Sequence, residues 1–217
     1  MNGKAHMNHF DAVVFDFGGV LFDWNPHYLY AALIPDTVER ERFFADVCTP
    51  QWNLQQDAGR PLADGLAEKI AAFPHLEHLI RPYYERWPET LRGTLVEGVA
   101  ILDELHAADV ALYGLTNWSA ETYPIAQARH PEVISRFRDI VVSGHEGTAK
   151  PGEAIYWRLL KRIGHAPARC IFIDDSAANI ATAQRLGFQT IHHTDAALTR
   201  AALCALGAPI MQSTVRQ

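Results

Sequence analysis

Four short polar segments of this chain carry side chains that could take part in chemistry. Each lies at the end of an apolar stretch or in a loop, and they are Asp16-Phe17-Gly18-Gly19, Thr116-Asn117, Lys150-Pro151 and Asp174-Asp175-Ser176. Together they offer a carboxylate nucleophile, hydroxyl and amide groups, an ammonium group and a pair of adjacent acids. Because Asp174 and Asp175 carry like charges, the pKa of one rises unless a cation, such as a divalent metal ion, is shared between them.

Taken singly, each segment also has a plainer interpretation. Asp16 could simply end a strand, Thr116-Asn117 could form an ordinary turn, and a lone lysine such as Lys150 is usually solvated. Asp174 and Asp175 could cap the helix that follows them, since acidic side chains are favourable at helix N-termini. The elements around the segments therefore decide between the two interpretations.

The stretch before Asp16 is predicted to be a buried strand. Val13-Val14-Phe15 are consecutive β-formers, and they end directly at the acid. Gly18 and Gly19 allow the backbone to turn and to approach a ligand closely. Open α/β sheets place their binding sites at the carboxyl ends of strands, so Asp16 is expected at such a site.

The second half of the chain alternates predicted strands with predicted helices. The strands are expected over 110–115, 140–142, 170–173 and 189–191, and the helices over 99–108, 152–163, 176–187 and 196–206. This alternation implies a parallel sheet with right-handed crossovers. The predicted fold class is α/β, a Rossmann-like parallel sheet core with helices on both faces and an inserted α-helical cap.

The predicted cap covers residues 23–91, where the pattern is helical throughout. Four short helices are expected, over 26–33, 36–47, 61–73 and 75–87, with breaks at Pro35, Pro50, Gly59, Pro74 and Pro88. The α/β core is then discontinuous, built from residues 10–22 and 92–217. Residues 1–9 are predicted to be a flexible leader.

Composition restricts the class of partner. The chain has 217 residues, is 48% hydrophobic and carries a formal charge of -6 without long runs of one sign. Neither nucleic acid nor a membrane is therefore an expected partner. The expected partner is a small molecule. The three cysteines are few and far apart, which favours a reducing compartment and makes a cytoplasmic location the expectation.

In this order and on these elements, the four segments resemble the motifs of the haloacid dehalogenase superfamily. The resemblance covers residues 10–208 and is closest to members with a small helical cap inserted after the first motif. It implies a hydrolase, specifically a phosphatase that acts on a small phosphorylated metabolite through an aspartyl-phosphate intermediate. It also implies Mg²⁺ as cofactor.

The resemblance assigns a role to each motif. Asp16 is expected to be the nucleophile, Thr116 and Asn117 to bind the phosphoryl oxygens, and Lys150 to supply a positive charge. The expected metal ligands are Asp16, Asp175 as a direct ligand, Asp174 and the backbone carbonyl of Gly18. Asn179, one turn beyond Asp175, is a candidate for bracing the site.

One position departs from the family pattern. Most phosphatases of this superfamily carry an aspartate two residues after the nucleophile as general acid and base, whereas this chain has Gly18. The proton for the leaving group must then come from a cap residue, from water on the metal or from the substrate. Unless the cap supplies it, the rate should depend steeply on the leaving-group pKa, with aryl, acyl or anomeric sugar phosphates preferred over simple alkyl phosphates. Dehalogenase members also lack that acid, so a 2-haloacid dehalogenase is the alternative, together with a non-catalytic binding or regulatory relative. The adjacent acids Asp174 and Asp175 count against the dehalogenase.

Substrate specificity is expected to reside mainly in the cap. The candidate contacts are Trp24, Trp52, Gln55, Gln56, Asp57 and Arg60, with Trp118 on the core side. Aromatic residues of small helical domains are also common core residues, so packing is the competing interpretation. The candidate proton carriers near neutral pH are His27, His145, His192 and His193.

Overall fold

The computed structural model describes residues 10–211, so the predicted leader at residues 1–9 lies outside the described residues. The strands are β1 Ala12–Phe15, β2 Phe22–Trp24, β3 Leu91–Thr94, β4 Ala111–Thr116, β5 Asp139–Val142, β6 Cys170–Asp174 and β7 Gln189–His192. The helices of the first half are α1 His27–Leu33, α2 Thr37–Asp46, α3 Pro50–Asp57, α4 Leu62–Ala72, α5 Glu77–Ile80, α6 Pro82–Glu85 and α7 Val96–Ala107. Those of the second half are α8 Tyr123–Arg129, α9 Pro131–Ile134, α10 Ser143–Glu146, α11 Glu153–Ile163, α12 Ala177–Arg185 and α13 Ala196–Ala205.

The main sheet is parallel and has the strand order β5-β4-β1-β6-β7. β1 is the central strand, and its Phe15 lies opposite Gly114 of β4 and Ile173 of β6. The carboxyl ends of these neighbouring strands therefore meet at one edge of the sheet. This arrangement brings the segments that begin at Asp16, Thr116 and Asp174 to the same place.

Side chains of β1 alternate between the two faces of the sheet. Ala12 and Val14 belong to a buried cluster with residues of α11 and α12, such as Leu159. Val13 and Phe15 belong to a second cluster that includes residues of α7, such as Leu102. The predicted α/β fold, with helices on both faces of a parallel sheet, is thus confirmed.

A second, two-stranded sheet was not predicted. β2 and β3 pair antiparallel, and the helices α1 to α6 lie between them in the chain. The segments 22–24 and 91–94 contain charged residues and a glycine, so neither shows an apolar run that would identify a strand in the sequence. The predicted limits of the cap, residues 23 and 91, fall inside these two strands. We call residues 25–90 the helical segment below.

The prediction for the helical segment was wrong around its prolines. A break was expected at Pro50 and no helix between it and residue 61, but Pro50 is the first residue of α3, whose N-cap Thr49 accepts a hydrogen bond from the backbone N–H of Trp52 at 3.1 Å. The single helix expected over 75–87 is divided into α5, α6 and short 3₁₀ turns. Pro82 begins α6 because proline suits a first turn and not a helix interior.

The helical segment and the sheet share one apolar cluster. Aromatic rings connect them: Phe17 contacts Phe22 at 5.6 Å between ring centroids, and Phe22 contacts Trp118 at 5.7 Å. Trp118 in turn contacts Trp87, at the end of the helical segment, at 5.6 Å. Within residues 10–211, no helix is both long and apolar enough to cross a membrane.

Candidate active site

Asp16 directly follows β1, at the middle of the sheet edge. Its backbone N–H donates to the carbonyl of Ile173, which holds the residue against β6 at 2.8 Å. The residue is 8% exposed, and its Oδ1 accepts hydrogen bonds from the N–H of Phe17 at 2.6 Å and from Nζ of Lys150 at 2.8 Å. Within the described chain Oδ2 has no hydrogen-bond partner, so this oxygen is available for another group.

Lys150 supplies the cation of the site. Its side chain is buried, and Nζ lies 2.8 Å from Asp16, 2.7 Å from Oδ2 of Asp174 and 2.8 Å from the carbonyl of Leu115. The three partners follow or lie within β1, β4 and β6, so one ammonium group connects the three central strands. Lys150 is thereby fixed in place as a positive charge beside Asp16.

Asp174 is fully buried and its carboxylate is saturated with hydrogen-bond donors. Oδ1 accepts from the N–H of Ser176 at 2.8 Å and from Nδ2 of Asn179 at 2.9 Å, and Oδ2 accepts from Lys150 and from the same amide at 3.1 Å. The backbone carbonyl of Asn179 accepts a hydrogen bond from the hydroxyl of Tyr156 at 3.0 Å. Asn179 therefore braces Asp174, and Asp174 braces Lys150.

Asp175 is the exposed member of the acid pair. Its carboxylate lies against Gly19: a Cβ atom on Gly19 would stand 2.3 Å from Oδ2 of Asp175. Gly19 also has φ +69, a conformation that L side chains rarely adopt. The backbone conformation and the lack of space for a Cβ atom therefore each favour glycine at position 19. Glycine there lets Asp175 lie close to the loop after Asp16.

The three carboxylates form a group that could hold a metal ion. Oxygen atoms of Asp16, Asp174 and Asp175 lie within 4.8 Å of one another. Burial and the neighbouring charge of Asp174 raise the pKa of both Asp16 and Asp175, and Lys150 offsets this only in part. The pKa of Lys150 is itself raised, because the attraction of Asp16 and Asp174 outweighs the effect of burial. One ammonium group does not balance three acids, so an oxygen-lined site for a divalent cation fits this donor set.

Asn117 holds the Lys150 loop. Its Nδ2 donates to the backbone carbonyl of Lys150 and its Oδ1 accepts from the backbone N–H of Lys150, both at 2.8 Å. Thr116 is the last residue of β4 and is buried, and Asn117 rather than Thr116 lines the cleft described next. The structure thus gives Asn117 a positioning contact in addition to any contact with a ligand.

A cleft of about 810 Å³ opens between the sheet edge and the helical segment. Asp16, Gly18, Lys150 and Asp175 line it from the sheet side. Next to it, a smaller pocket of about 60 Å³ is lined by Gly18, Trp24, Asn53, Asp57, Trp87, Asn117 and Trp118. Three of the predicted specificity residues, Trp24, Asp57 and Trp118, therefore lie together beside the site.

The other predicted specificity residues lie elsewhere. Gln56 is fully buried, and its amide donates to the carbonyl of Trp52 and to the hydroxyl of Tyr84. Gln55 and Arg60 bond to each other at 2.9 Å, and neither lines the cleft or the small pocket. Trp52 is 2% exposed and packs in the helical segment, as the competing interpretation held.

The predicted histidine candidates have structural contacts. His192 bonds to the backbone carbonyl of Asp175 at 2.9 Å, and His193 bonds to the Thr199 hydroxyl at 2.8 Å. His145 packs edge-on against Tyr123. Only His27 of these four lines the cleft, where its ring packs on Phe44.

Asn53 and Trp87 line the small pocket and were missed from the sequence. Asn53 Nδ2 donates to Oδ2 of Asp57 at 2.8 Å, a pairing four residues apart on α3. The signal was available in Thr49-Pro50, a capping residue followed by a proline that begins a helix. Once α3 starts at Pro50, Asn53 and Asp57 fall on one helix face.

Comparisons with known proteins agree with this geometry. A family model described as haloacid dehalogenase-like hydrolase matches residues 10–187. A sesquiterpene phosphatase from Aspergillus oryzae is 31% identical over 201 residues, which cover 88% of this chain and 93% of that protein. The similarity to this phosphatase therefore extends over most of the chain.

Solved structures show the same fold. A HAD-like family hydrolase from Porphyromonas gingivalis superposes with a TM-score of 0.65 at 25% identity, covering 84% of this chain and 90% of that one. A HAD family enzyme from Bacteroides thetaiotaomicron, in complex with magnesium and inorganic phosphate, superposes with a TM-score of 0.63 at 19% identity. The superposition covers 96% of this chain and 100% of that one. The chain belongs to the haloacid dehalogenase-like hydrolase family.

Proposed function

We propose that this hydrolase is a Mg²⁺-dependent phosphatase that cleaves a small phosphorylated metabolite through an aspartyl-phosphate intermediate. The observation that carries the proposal is the placement of Asp16 beside Lys150 and within reach of two further carboxylates. The family relative from Aspergillus oryzae is a phosphatase, and the Bacteroides structure contains magnesium and phosphate. Both support phosphoryl transfer over another hydrolytic reaction.

In the proposed reaction one carboxylate oxygen of Asp16 attacks the phosphorus. The new bond joins that oxygen to phosphorus, the ester bond breaks, and the leaving group departs with a proton. Water then attacks the aspartyl phosphate, releasing inorganic phosphate and restoring the carboxylate. Lys150 stays beside Asp16 throughout and offsets the negative charge that the phosphoryl oxygens bring to the site.

Asp16, Asp175 and the carbonyl of Gly18 are the proposed direct ligands of Mg²⁺. Asp174 is the weaker candidate for direct ligation, because hydrogen-bond donors already occupy both of its oxygens. It acts in this proposal by fixing Lys150 and by adding negative charge to the site. When bound, Mg²⁺ would supply positive charge for the phosphoryl group, since it accepts carboxylate, carbonyl and phosphate oxygens.

An apolar leaving group fits the cleft best. Its wall on the helical segment includes Phe44, Cys48, Leu54 and Tyr83, next to the polar residues Asn25, Gln51 and Asn53. The apolar part of this wall stabilises apolar groups by removing them from water. The relative's sesquiterpene substrate has this character. We therefore expect prenyl-type monophosphates to be better substrates than sugar phosphates of similar size.

A panel of phosphate monoesters, assayed with Mg²⁺ and again after EDTA treatment, tests the proposed function. Phosphate release should stop in EDTA and return when Mg²⁺ is added in excess, and mass spectrometry should find phosphate on the peptide that contains Asp16. Activity that survives exhaustive chelation would contradict the metal assignment. A parallel panel of 2-haloacids separates the alternatives, because halide release would identify a dehalogenase. If neither panel reacts, the non-catalytic interpretation holds.

A further inference from the structure

Position 18 leaves the site without its usual proton carrier, and one acid of the helical segment borders the same pocket. Asp57 is the last residue of α3 and lines the cleft together with Asp16. It also lines the small pocket, as Gly18 does. Asp57 and the position of the missing side chain therefore share one pocket at the site.

A chain of hydrogen bonds orients the Asp57 carboxyl group. Nδ2 of Asn53 donates to its Oδ2 at 2.8 Å, and Oδ1 of Asn53 accepts from the hydroxyl of Tyr84 at 2.9 Å. That hydroxyl in turn accepts from Nε2 of Gln56 at 3.1 Å. The arrangement holds Oδ2 of Asp57 with a donor and thereby fixes the orientation of the carboxyl group.

The end of α3 is also fixed to the core. The Ser143 hydroxyl donates to the backbone carbonyl of Asp57. The hydroxyl oxygen of Ser143 also accepts from the backbone N–H of Trp118 at 2.9 Å. Trp118 is the residue after Asn117, which holds the Lys150 loop. A short path of hydrogen bonds therefore connects Asp57 to the loops that carry the site.

The surroundings of Asp57 favour a proton on it near neutral pH. Burial raises the pKa of its carboxyl group to about 7, and the backbone of Ser119 opposes this only in part. The titratable groups on the elements around it are Tyr83 and Tyr84 of α6, whose own pKa values are raised by burial, and His145 of α10, which packs on Tyr123. Arg60, three residues further on, pairs with Glu68 instead. Asp57 thus differs from the acids of the sheet edge, which share a lysine.

We propose that Asp57 is the general acid and base of the reaction, in place of the side chain absent at Gly18. The inference rests on the proposed phosphatase function. In the first step Asp57 gives its proton to the leaving oxygen as the ester bond breaks, and becomes a carboxylate. In the second step it takes a proton from the attacking water as the oxygen–phosphorus bond to Asp16 breaks, and the cycle closes with no net change in Asp57.

Asp57→Asn tests the inference by comparing a substrate whose leaving group needs a proton with one whose leaving group does not. The variant keeps the shape and the hydrogen bond from Asn53 but cannot transfer a proton. We expect kcat/KM for an alkyl phosphate to fall by about 10² to 10⁴, the usual contribution of a general acid, while p-nitrophenyl phosphate, whose leaving group needs no proton, loses far less. Asp64→Asn, the same substitution at an exposed residue of the helical segment, is the matched control.

The pH profile provides a readout that a purely structural role would not change. Because the protonated form donates, wild-type kcat/KM for the alkyl phosphate should fall as pH rises through about 7. Asp57→Asn should lose this limb, and Asp57→Glu should restore it in part. In ¹³C-labelled protein, a carboxyl resonance that titrates near that pH should disappear in Asp57→Asn and persist in Asp64→Asn.

Two results would overturn the inference while leaving the phosphatase intact. One is an Asp57→Asn variant that loses activity equally on both substrates; the other is a variant with the wild-type pH profile. If the variant fails to fold, as judged by circular dichroism, the carboxyl titration of the wild-type protein still decides, since absence of a group titrating near 7 refutes the assignment. Failure of the proposed function is a separate outcome, in which the wild-type protein itself releases no phosphate.

Discussion

The acids of the sheet edge and the acid of the helical segment differ in what neutralises them. Asp16 and Asp174 lie at the ends of adjacent strands and share the ammonium group of Lys150. Asp57 lies at the end of a helix, where its side-chain partner is the neutral amide of Asn53. Burial raises the pKa of both Asp16 and Asp57, but at Asp16 the charge of Lys150 opposes this rise, whereas at Asp57 the opposing contact is a backbone hydrogen bond from Ser119.

The difference separates two tasks that need opposite charge states. A nucleophile and a metal ligand must be anionic, whereas a general acid must carry a proton at the working pH. In the proposed mechanism the anionic groups come from strand ends and the protonated group comes from a helix packed over them. Substitutions that exchange or remove these environments test whether the division holds.

The largest effect is expected for Asp16→Asn. The amide is a poor nucleophile and removes the anion that pairs with Lys150, so kcat should fall by about 10⁴ or more, as when other catalytic nucleophiles are replaced. Phosphate release and the mass of the trapped protein measure the effect, with Asp64→Asn as control. A variant that kept a tenth of the wild-type rate would show that another group is the nucleophile.

Lys150→Met should have the largest effect on stability. It leaves Asp16 and Asp174 buried beside each other without their cation, and loss of one partner of a buried ion pair costs about 3–5 kcal/mol. Urea unfolding in EDTA measures the free energy of unfolding. Lys161→Met, at an exposed lysine of α11, is the control and should change it little.

A double substitution sharpens this test. Lys150→Met combined with Asp174→Asn removes a negative charge together with the cation. The double variant should therefore lose less free energy of unfolding than the sum of the losses in the two single variants. Additive costs would mean that the shared charge is not what makes Lys150 important.

The adjacent glycines should respond differently to alanine. At Gly19 a methyl group requires an unfavourable left-handed conformation, which costs about 1–2 kcal/mol, and it displaces Asp175. Gly18 has no positive φ and no atom within 4 Å of a new Cβ, so Gly18→Ala should fold with a stability within about 1 kcal/mol of the wild type. Thermal unfolding and Mg²⁺ titration by calorimetry compare the two variants, and equal Mg²⁺ affinities would contradict the role assigned to Gly19.

The smallest effect is expected from restoring an acid at position 18. The open space beside Gly18 accommodates Asp without clash at its Cβ. In the Asp57→Asn background, Gly18→Asp should recover roughly tenfold in rate on alkyl phosphates, part of what a general acid contributes. In the wild-type background it should add little, because Asp57 already supplies the proton. A large gain there would show that Asp57 does not act as the acid.

The sheet and its edge could be predicted because their signals are local. β1 and β6 are continuous apolar strands that end at acids, and a parallel sheet places such ends together whatever its loops do. Gly164 similarly marked the end of α11, where it adopts φ +73. Asn179 was expected to brace the site, and it does so by donating to both oxygens of Asp174. The bonds to Asp174 from Lys150 and from the N–H of Ser176 could not be predicted, since they depend on how separate loops meet.

The helical segment was harder to predict because burial there depends on packing between short helices. Gln55, Gln56 and Asp57 are consecutive, but successive residues of a helix point about 100° apart, so one faces solvent, one the interior and one the cleft. The protonation of Asp57 depends on its enclosure by elements distant in sequence, such as the loop at Trp118 and Ser143. A charge pattern read along the chain contains no such information.

The empty space at Gly18 has a consequence for inhibitor selectivity. A ligand that anchors a phosphate mimic beside Lys150 and extends a small group into the pocket between Trp24 and Trp118 would occupy volume next to Gly18. In enzymes of the superfamily that carry aspartate at this position, that side chain would compete for the same volume. Shape alone would then direct such a compound to this protein and to relatives that share the glycine.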